Sequence, residues 1–156
     1  HFASLYGVDY KKSKELTFKQ LYGGVFENYR SLEFFKKIEE YVGNLWRDFK
    51  ENGEVECKIS GFRFRDDELE NMNPQKLFNY TLQNLETSTN VLVLWDILCI
   101  LKGCKTKLVL YTYDSFLFDF DESESTILED IRKVFKNFKL NIKEIEGYDY
   151  NFGKTA

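Results

Sequence analysis

The sequence has little of what would break, cross-link or anchor a chain. Its 156 residues include one proline, Pro74, and neither an internal repeat nor a low-complexity stretch, which excludes a Pro-rich or Ser-rich linker between separate parts. Three cysteines, Cys57, Cys99 and Cys104, form an odd set without CxxC spacing, so neither a disulfide framework nor a zinc site is suggested, and a reducing compartment is the natural reading. The longest apolar run, VLVLWDILCIL, is too short to span a bilayer and is interrupted by Asp96. The N-terminus shows no charged region followed by an apolar stretch. The expectation is a soluble, intracellular protein that is not secreted and has no membrane partner.

What is present supports a packed fold. Hydrophobic residues make up 43% and aromatics 17%, ample for a core and too much for a disordered chain. The net charge of -4 argues mildly against a nucleic-acid binder, but the charge is unevenly placed. Residues 1–65 hold 12 Lys and Arg against 10 Asp and Glu, whereas residues 66–156 hold 10 against 16. Phosphate contacts can be local, and metal-binding carboxylates can make the other part acidic. The crowding of Lys, Asn, Phe and Tyr is the residue choice of AT-rich coding, as in a virus or an organelle.

Along the chain, VDYKKSKELTFKQLYGG reads as a helix stopped by Gly23 and Gly24. Ser31 to Lys50 reads as an amphipathic helix with Ser31 as N-cap, Glu33 just inside, and Leu32, Phe35, Ile38, Tyr41, Leu45 and Phe49 at helical spacing. Glu54 to Arg65 alternates around Ser60-Gly61 as a short hairpin. A long helix follows from Pro74 to Lys102, with Asn73 as N-cap and Gly103 as its close. The last third reads as strand, tight turn, strand, helix, strand, the final strand being LNIKEIEG. The whole is α+β, an antiparallel sheet carrying helices on one face.

Three constellations could carry chemistry. In LVLYTYDSFLFDF, Asp114 falls at the turn between two strands that favour burial. A divalent cation such as Mg²⁺ is one reason for a carboxylate there, and an ordinary exposed turn Asp is the plain alternative. Tyr10, Lys14, Phe18 and Tyr22 recur every fourth residue in one stripe of their helix. A lysine between rings can meet a phosphate while a ring stacks on a base or sugar. The plain alternative is a core-facing stripe with Lys14 snorkelling at its edge. On the long helix, Asn79 and Gln83, with Gln75 one turn earlier, set amides in a row that could meet minor-groove acceptors, or could simply face solvent.

Taken in order, these features resemble the C-terminal part of family A DNA polymerases. The family's fingers helix carries Arg, three residues, Lys, three residues, Phe or Tyr, then Tyr-Gly, and KELTFKQLYGG matches from Lys14 through Phe18 to Tyr22-Gly23. The family's palm helix has Asn, three residues, Gln, matched by Asn79 and Gln83. Its catalytic hairpin reads His-Asp-Glu, where this chain has Tyr113-Asp114-Ser115. GYDYNFGK, Gly147 to Lys154, is similar to the family's C-terminal segment, and HFASLYG loosely to the stretch before the fingers helix. The departures are Tyr10 in place of Arg, with Lys11 or Lys12 as substitutes, Gln75 in place of a basic residue, and Ser115 in place of the second acid. The family's upstream carboxylate motif is not among the 156 residues.

The resemblance implies an antiparallel palm-type sheet with long helices on one face, a fingers-like segment at residues 1–53 and a palm-like segment at 54–156 with a catalytic hairpin at 106–121. It implies nucleotidyl transfer from a dNTP to a primer 3′-hydroxyl with two Mg²⁺ ions, incomplete in this chain alone. Asp114 would bind metal, and Lys14 would contact the triphosphate. Phe18 and Tyr22, with Tyr10 and Lys11, would hold the nucleotide. Asn79, Gln83, Gln75, Tyr113 and Ser115 would touch primer-template DNA. The implied partners are DNA, dNTP and the remainder of the polymerase, in the same polypeptide or a partner chain. Two other readings stand beside it. One is a reverse-transcriptase-like palm, since YTYDS resembles the Tyr-x-Asp-Asp turn. The other is a non-catalytic nucleic-acid-binding or accessory subunit with a polymerase-derived fold.

Overall fold

The computed structural model describes residues 2–147. In chain order these form α1 (Phe2–Tyr6), α2 (Tyr10–Gly23), a 3₁₀ turn (Glu27–Tyr29), α3 (Glu33–Asn52), β1 (Glu54–Glu56), β2 (Arg63–Arg65), α4 (Pro74–Ile100), β3 (Lys107–Thr112), β4 (Ser115–Asp119), a second 3₁₀ turn (Glu122–Glu124) and α5 (Ser125–Asn137). The α+β class is as expected. Among the described residues, the antiparallel pairing takes the form of two separate two-stranded sheets. The chain divides into two compact units, His1–Ser88 and Thr89–Ala156, with the boundary inside α4.

In the first unit, the Asp9 carboxylate accepts the Lys12 amide at 2.8 Å and so caps the start of α2. The helix stops at Gly24, whose φ of +98° disfavours any residue with a Cβ, and whose amide returns to the Gln20 carbonyl at 3.0 Å. In α3, Phe35, Val42 and Phe49 recur every seventh residue and are buried, so this helix sets one stripe inward. Phe49 joins Phe64 of β2 and Leu77 of α4 in a core flanked by Leu45, Trp46, Val55, Leu69 and Met72. Burial of each large apolar side chain contributes about 1.5–3 kcal/mol. The strands pair Glu54 with Arg65, Val55 with Phe64 and Glu56 with Arg63. Alternation therefore turns Phe64 inward while Arg63 and Arg65 form ion pairs with Glu54, Glu56 and Glu68.

In the second unit, Val93 and Ile97 of α4 and Leu101 just after it pack with Ile131 and Val134 of α5. Leu108, Phe116 and Phe118 of the hairpin lie against that core. The start of β3 is pinned by Glu124, whose carboxylate accepts the Lys105 and Thr106 amides, each at 2.8 Å. These bonds hold the Glu124 carboxyl below its usual range, Lys105 first and Thr106 second. The Thr106 side chain is fully buried and accepts the Asp121 amide at 3.1 Å.

Two expectations change. Ser31 is not the N-cap of α3: the cap is Leu32, with no side-chain bond, because residues 27–32 are drawn into the 3₁₀ turn and its exit, where the Leu32 amide bonds to the Tyr29 carbonyl at 3.0 Å. LNIKEIEG forms no strand. The chain leaves α5 through Lys139 at φ +56°, and Glu144 is held by a two-bond ion pair to Arg132, at 2.8 and 2.7 Å, instead of by a neighbouring strand. The segment Gly147 to Lys154 lies, from residue 148 on, outside the described residues. Among the described residues no helix is long and apolar enough to cross a membrane.

Candidate functional site

The stripe on α2 faces outward. The helix buries Ser13 and Gln20, and Gln20, 1% exposed, fixes its end. The Gln20 amide donates to the Tyr6 hydroxyl at 3.2 Å and accepts the Phe26 backbone amide at 3.2 Å. With the polar side turned inward, Tyr10, Phe18 and Tyr22 are left 78%, 42% and 40% exposed. The rings of Phe18 and Tyr22 are parallel within 7°, their centroids 5.9 Å apart. The Lys14 ammonium stands 5.7 Å from the Phe18 centroid. Among the described residues no carboxylate forms an ion pair with Lys14, whereas Lys12 is committed to Glu15 at 3.0 Å. Among the described residues the rings of this stripe are not part of a core cluster. A cation over an open ring pair can receive an anion and a flat apolar group together.

Asn79 and Gln75, on the first turns of α4, meet the end of α2. The Asn79 amide donates to the Tyr22 carbonyl at 3.3 Å, one of the carbonyls that a helix terminus leaves unpaired. The Asn79 side-chain oxygen is buried and has no hydrogen-bond partner among the described residues. Gln75 lies against Gly24, where a Cβ would stand 3.8 Å from its amide nitrogen. Gln83 is exposed and lines a cleft with Phe62 and Tyr80. Lys11 is exposed as well.

The hairpin tip belongs to the second unit. The register pairs Thr112 with Ser115, so Tyr113 and Asp114 form a two-residue loop with both side chains in solvent. Tyr113, 88% exposed, adopts φ +50°, an uncommon conformation for a residue with a large side chain. Asn90 on α4 donates to the Tyr113 carbonyl at 3.0 Å and so holds the loop that presents Asp114. Sequence reasoning missed Asn90 and the tie from Asn79 to Tyr22. The partners are 23 and 57 residues apart, and neither asparagine stands at a cap or turn that would draw notice. Among the described residues no three His, Cys, Asp or Glu side chains gather closely enough to hold a metal ion. Asp114 could serve a hard cation as a single carboxylate ligand, and among the described residues no second and third ligand stand beside it.

No protein-family model and no curated protein matches the chain. Among solved structures, it is similar to the POL domain of Pol1 from M. smegmatis, determined in complex with DNA primer-template and dNTP, with a TM-score of 0.60 at 16% identity. The match covers 86% of this chain and 24% of that one, so the chain spans about a quarter of the polymerase chain it matches. At this identity the likeness is one of fold, and the fold is similar to that of part of a DNA polymerase POL domain.

Proposed function

We propose that the chain is the C-terminal part of a template-directed DNA polymerase, with α2 in a fingers-like segment and the β3–β4 hairpin in a palm-like one. The observation that carries this reading is the outward Lys14–Phe18–Tyr22 face of α2, in a chain whose fold is similar to a POL domain. Rings and an unpaired ammonium held open by a buried polar side suit a nucleoside triphosphate: charge for the phosphates, a flat surface for sugar and base. Lys14 binds the triphosphate with Lys11 and Tyr10 alongside. Phe18 packs against the incoming sugar, and Tyr22, fixed by Asn79, lies at the templating position. Gln75, Asn79 and Gln83 meet the duplex minor groove, and Tyr113 and Ser115 flank the primer end. Asp114 supplies one ligand for Mg²⁺, which when bound would stabilise charge on the reacting phosphate. The other ligands belong to the remainder of the polymerase.

The lone carboxylate at the tip, with Ser115 beside it, favours a second reading, an accessory subunit that keeps the fold and binds nucleic acid without catalysis. Asp114→Asn separates the two. In a complete polymerase containing this chain, it lowers kcat by about two to four orders of magnitude, the effect of losing a metal ligand worth several kcal/mol, and leaves the primer-template Kd nearly unchanged. Wild-type turnover in Asp114→Asn makes the tip an ordinary turn and the accessory reading the better one.

A further inference from the structure

We infer that the cleft between the β1–β2 turn and the middle of α4 holds an unpaired nucleotide of single-stranded DNA. It has a volume of about 290 Å³ and is lined by Phe62, Phe64, Tyr80, Gln83, Asn84 and Thr87. Phe64 forms its floor, 6% exposed and part of the core. Phe62, on the same side of the strand, packs edge-on against Phe64 with centroids 4.9 Å apart, yet is 52% exposed because the core ends at Phe64. Tyr80 is 44% exposed. The cleft therefore sets two open rings beside a buried one.

Its polar groups are placed as well. Asn84 is fixed by the Ser60 hydroxyl, which donates to its side-chain oxygen at 2.9 Å and ties the turn to α4. The same turn is closed by the Cys57 and Phe62 backbones, with the Cys57 amide 2.8 Å from the Phe62 carbonyl. Lys58, in that turn, is exposed and forms no ion pair among the described residues, while the neighbouring Arg63 and Arg65 are taken up by glutamates. Rings and the Asn84 amide in the lining, with a cation on the adjoining turn, are the kinds of group that grip a nucleotide: stacking on the base, hydrogen bonds to its edge, charge for its phosphate. Bases inside a duplex hide their faces in the stack, so only an unpaired base can use Phe62 and Tyr80. The choice of nucleic acid over another aromatic ligand rests on the polymerase reading, in which a template is single-stranded before it is copied.

The test is fluorescence anisotropy of the 156-residue chain with a labelled oligodeoxythymidine, the same oligomer with abasic sites, and a blunt duplex. The wild type binds the oligodeoxythymidine, and the abasic oligomer binds more weakly. Phe62→Ala and Tyr80→Ala each weaken oligodeoxythymidine binding by roughly five- to a hundredfold, the range for losing one stacked base, and leave duplex binding within twofold. Phe62→Trp, which keeps a ring, retains binding, so loss in Phe62→Ala is not a folding artefact. Unaltered oligodeoxythymidine binding in both alanine variants, or equal binding of normal and abasic oligomers, overturns the proposal. Either result leaves the polymerase reading to the Asp114→Asn kinetics, and normal turnover in that variant makes this chain an accessory part without touching the cleft's own binding data.

Discussion

Helices α2 and α5 are nearly equal in length, 14 and 13 residues, and both repeat apolar side chains at helical spacing, but they place them oppositely. In α5 the stripe is buried: Ile131 and Val134 are in the core, with Ile127 and Phe135 packed against it, and the charged side is laced by Arg132 and Lys133 to Glu129, Glu144 and Asp130. In α2 the inward side is Ser13 and the hydrogen-bonded Gln20, and the rings stand outside beside Lys14. Periodicity marks a face, and the partners that satisfy the opposite face decide whether it becomes core or surface.

The contrast can be broken by truncation. Ile131→Ala in α5 should destabilise the chain by about 2–5 kcal/mol through a cavity, read as a fall in the urea midpoint. Phe18→Ala in α2 should cost under about 1 kcal/mol, since its ring already meets water. Equal losses would mean that Phe18 is core and that the outward face is mistaken.

A smaller effect, on function alone, is expected at Lys14. If the chain is part of a polymerase as proposed, Lys14→Ala in that enzyme should lower kcat/KM for nucleotide by about ten- to a hundredfold, the range for one charged hydrogen bond, with KM and kcat sharing the loss according to when the contact strengthens. The urea midpoint should hardly move. Unchanged nucleotide kinetics with a lost midpoint would make Lys14 a packing residue.

The smallest effect is a pH dependence confined to the second unit. Glu124 has its pKa lowered from 4.5 by the Lys105 and Thr106 amides, so its contribution to stability is complete above that value and fades as pH falls through the lower folded-state pKa. Glu124→Gln should be less stable than wild type at pH 7, and the gap should close as the pH falls below about 4.5. Parallel curves across that range would show that the carboxylate charge does not hold the start of β3.

Much of this arrangement was legible in the sequence because it rests on local chemistry. Asn73 before Pro74 caps α4, with the Lys76 amide 2.9 Å from its side chain; Gly24 ends α2; Tyr113-Asp114-Ser115 between β-rich runs marks the hairpin turn, whose loop is Tyr113 and Asp114. What the sequence hid is set by distant partners. A stripe of rings has the same spacing whether buried or open, and only Gln20's bonds to Tyr6 and Phe26 turn it outward. LNIKEIEG alternates like a strand, but a strand needs a neighbour, and Arg132 takes Glu144 instead. Asn79 and Asn90 read as ordinary helix polar residues until the Tyr22 and Tyr113 carbonyls are found opposite them.

The proposal that the outward face of α2 holds a nucleotide is tested most directly by comparing dideoxy- with deoxynucleotide incorporation by an enzyme containing this chain, wild type and Phe18→Tyr. If the ring at position 18 packs against the incoming sugar, a phenolic hydroxyl there can stand in for the missing sugar hydroxyl, and the variant should discriminate far less against the dideoxynucleotide. Unchanged selectivity in a Phe18→Tyr enzyme that folds and polymerises normally would mean that Phe18 does not face the sugar and that α2 is not the nucleotide helix.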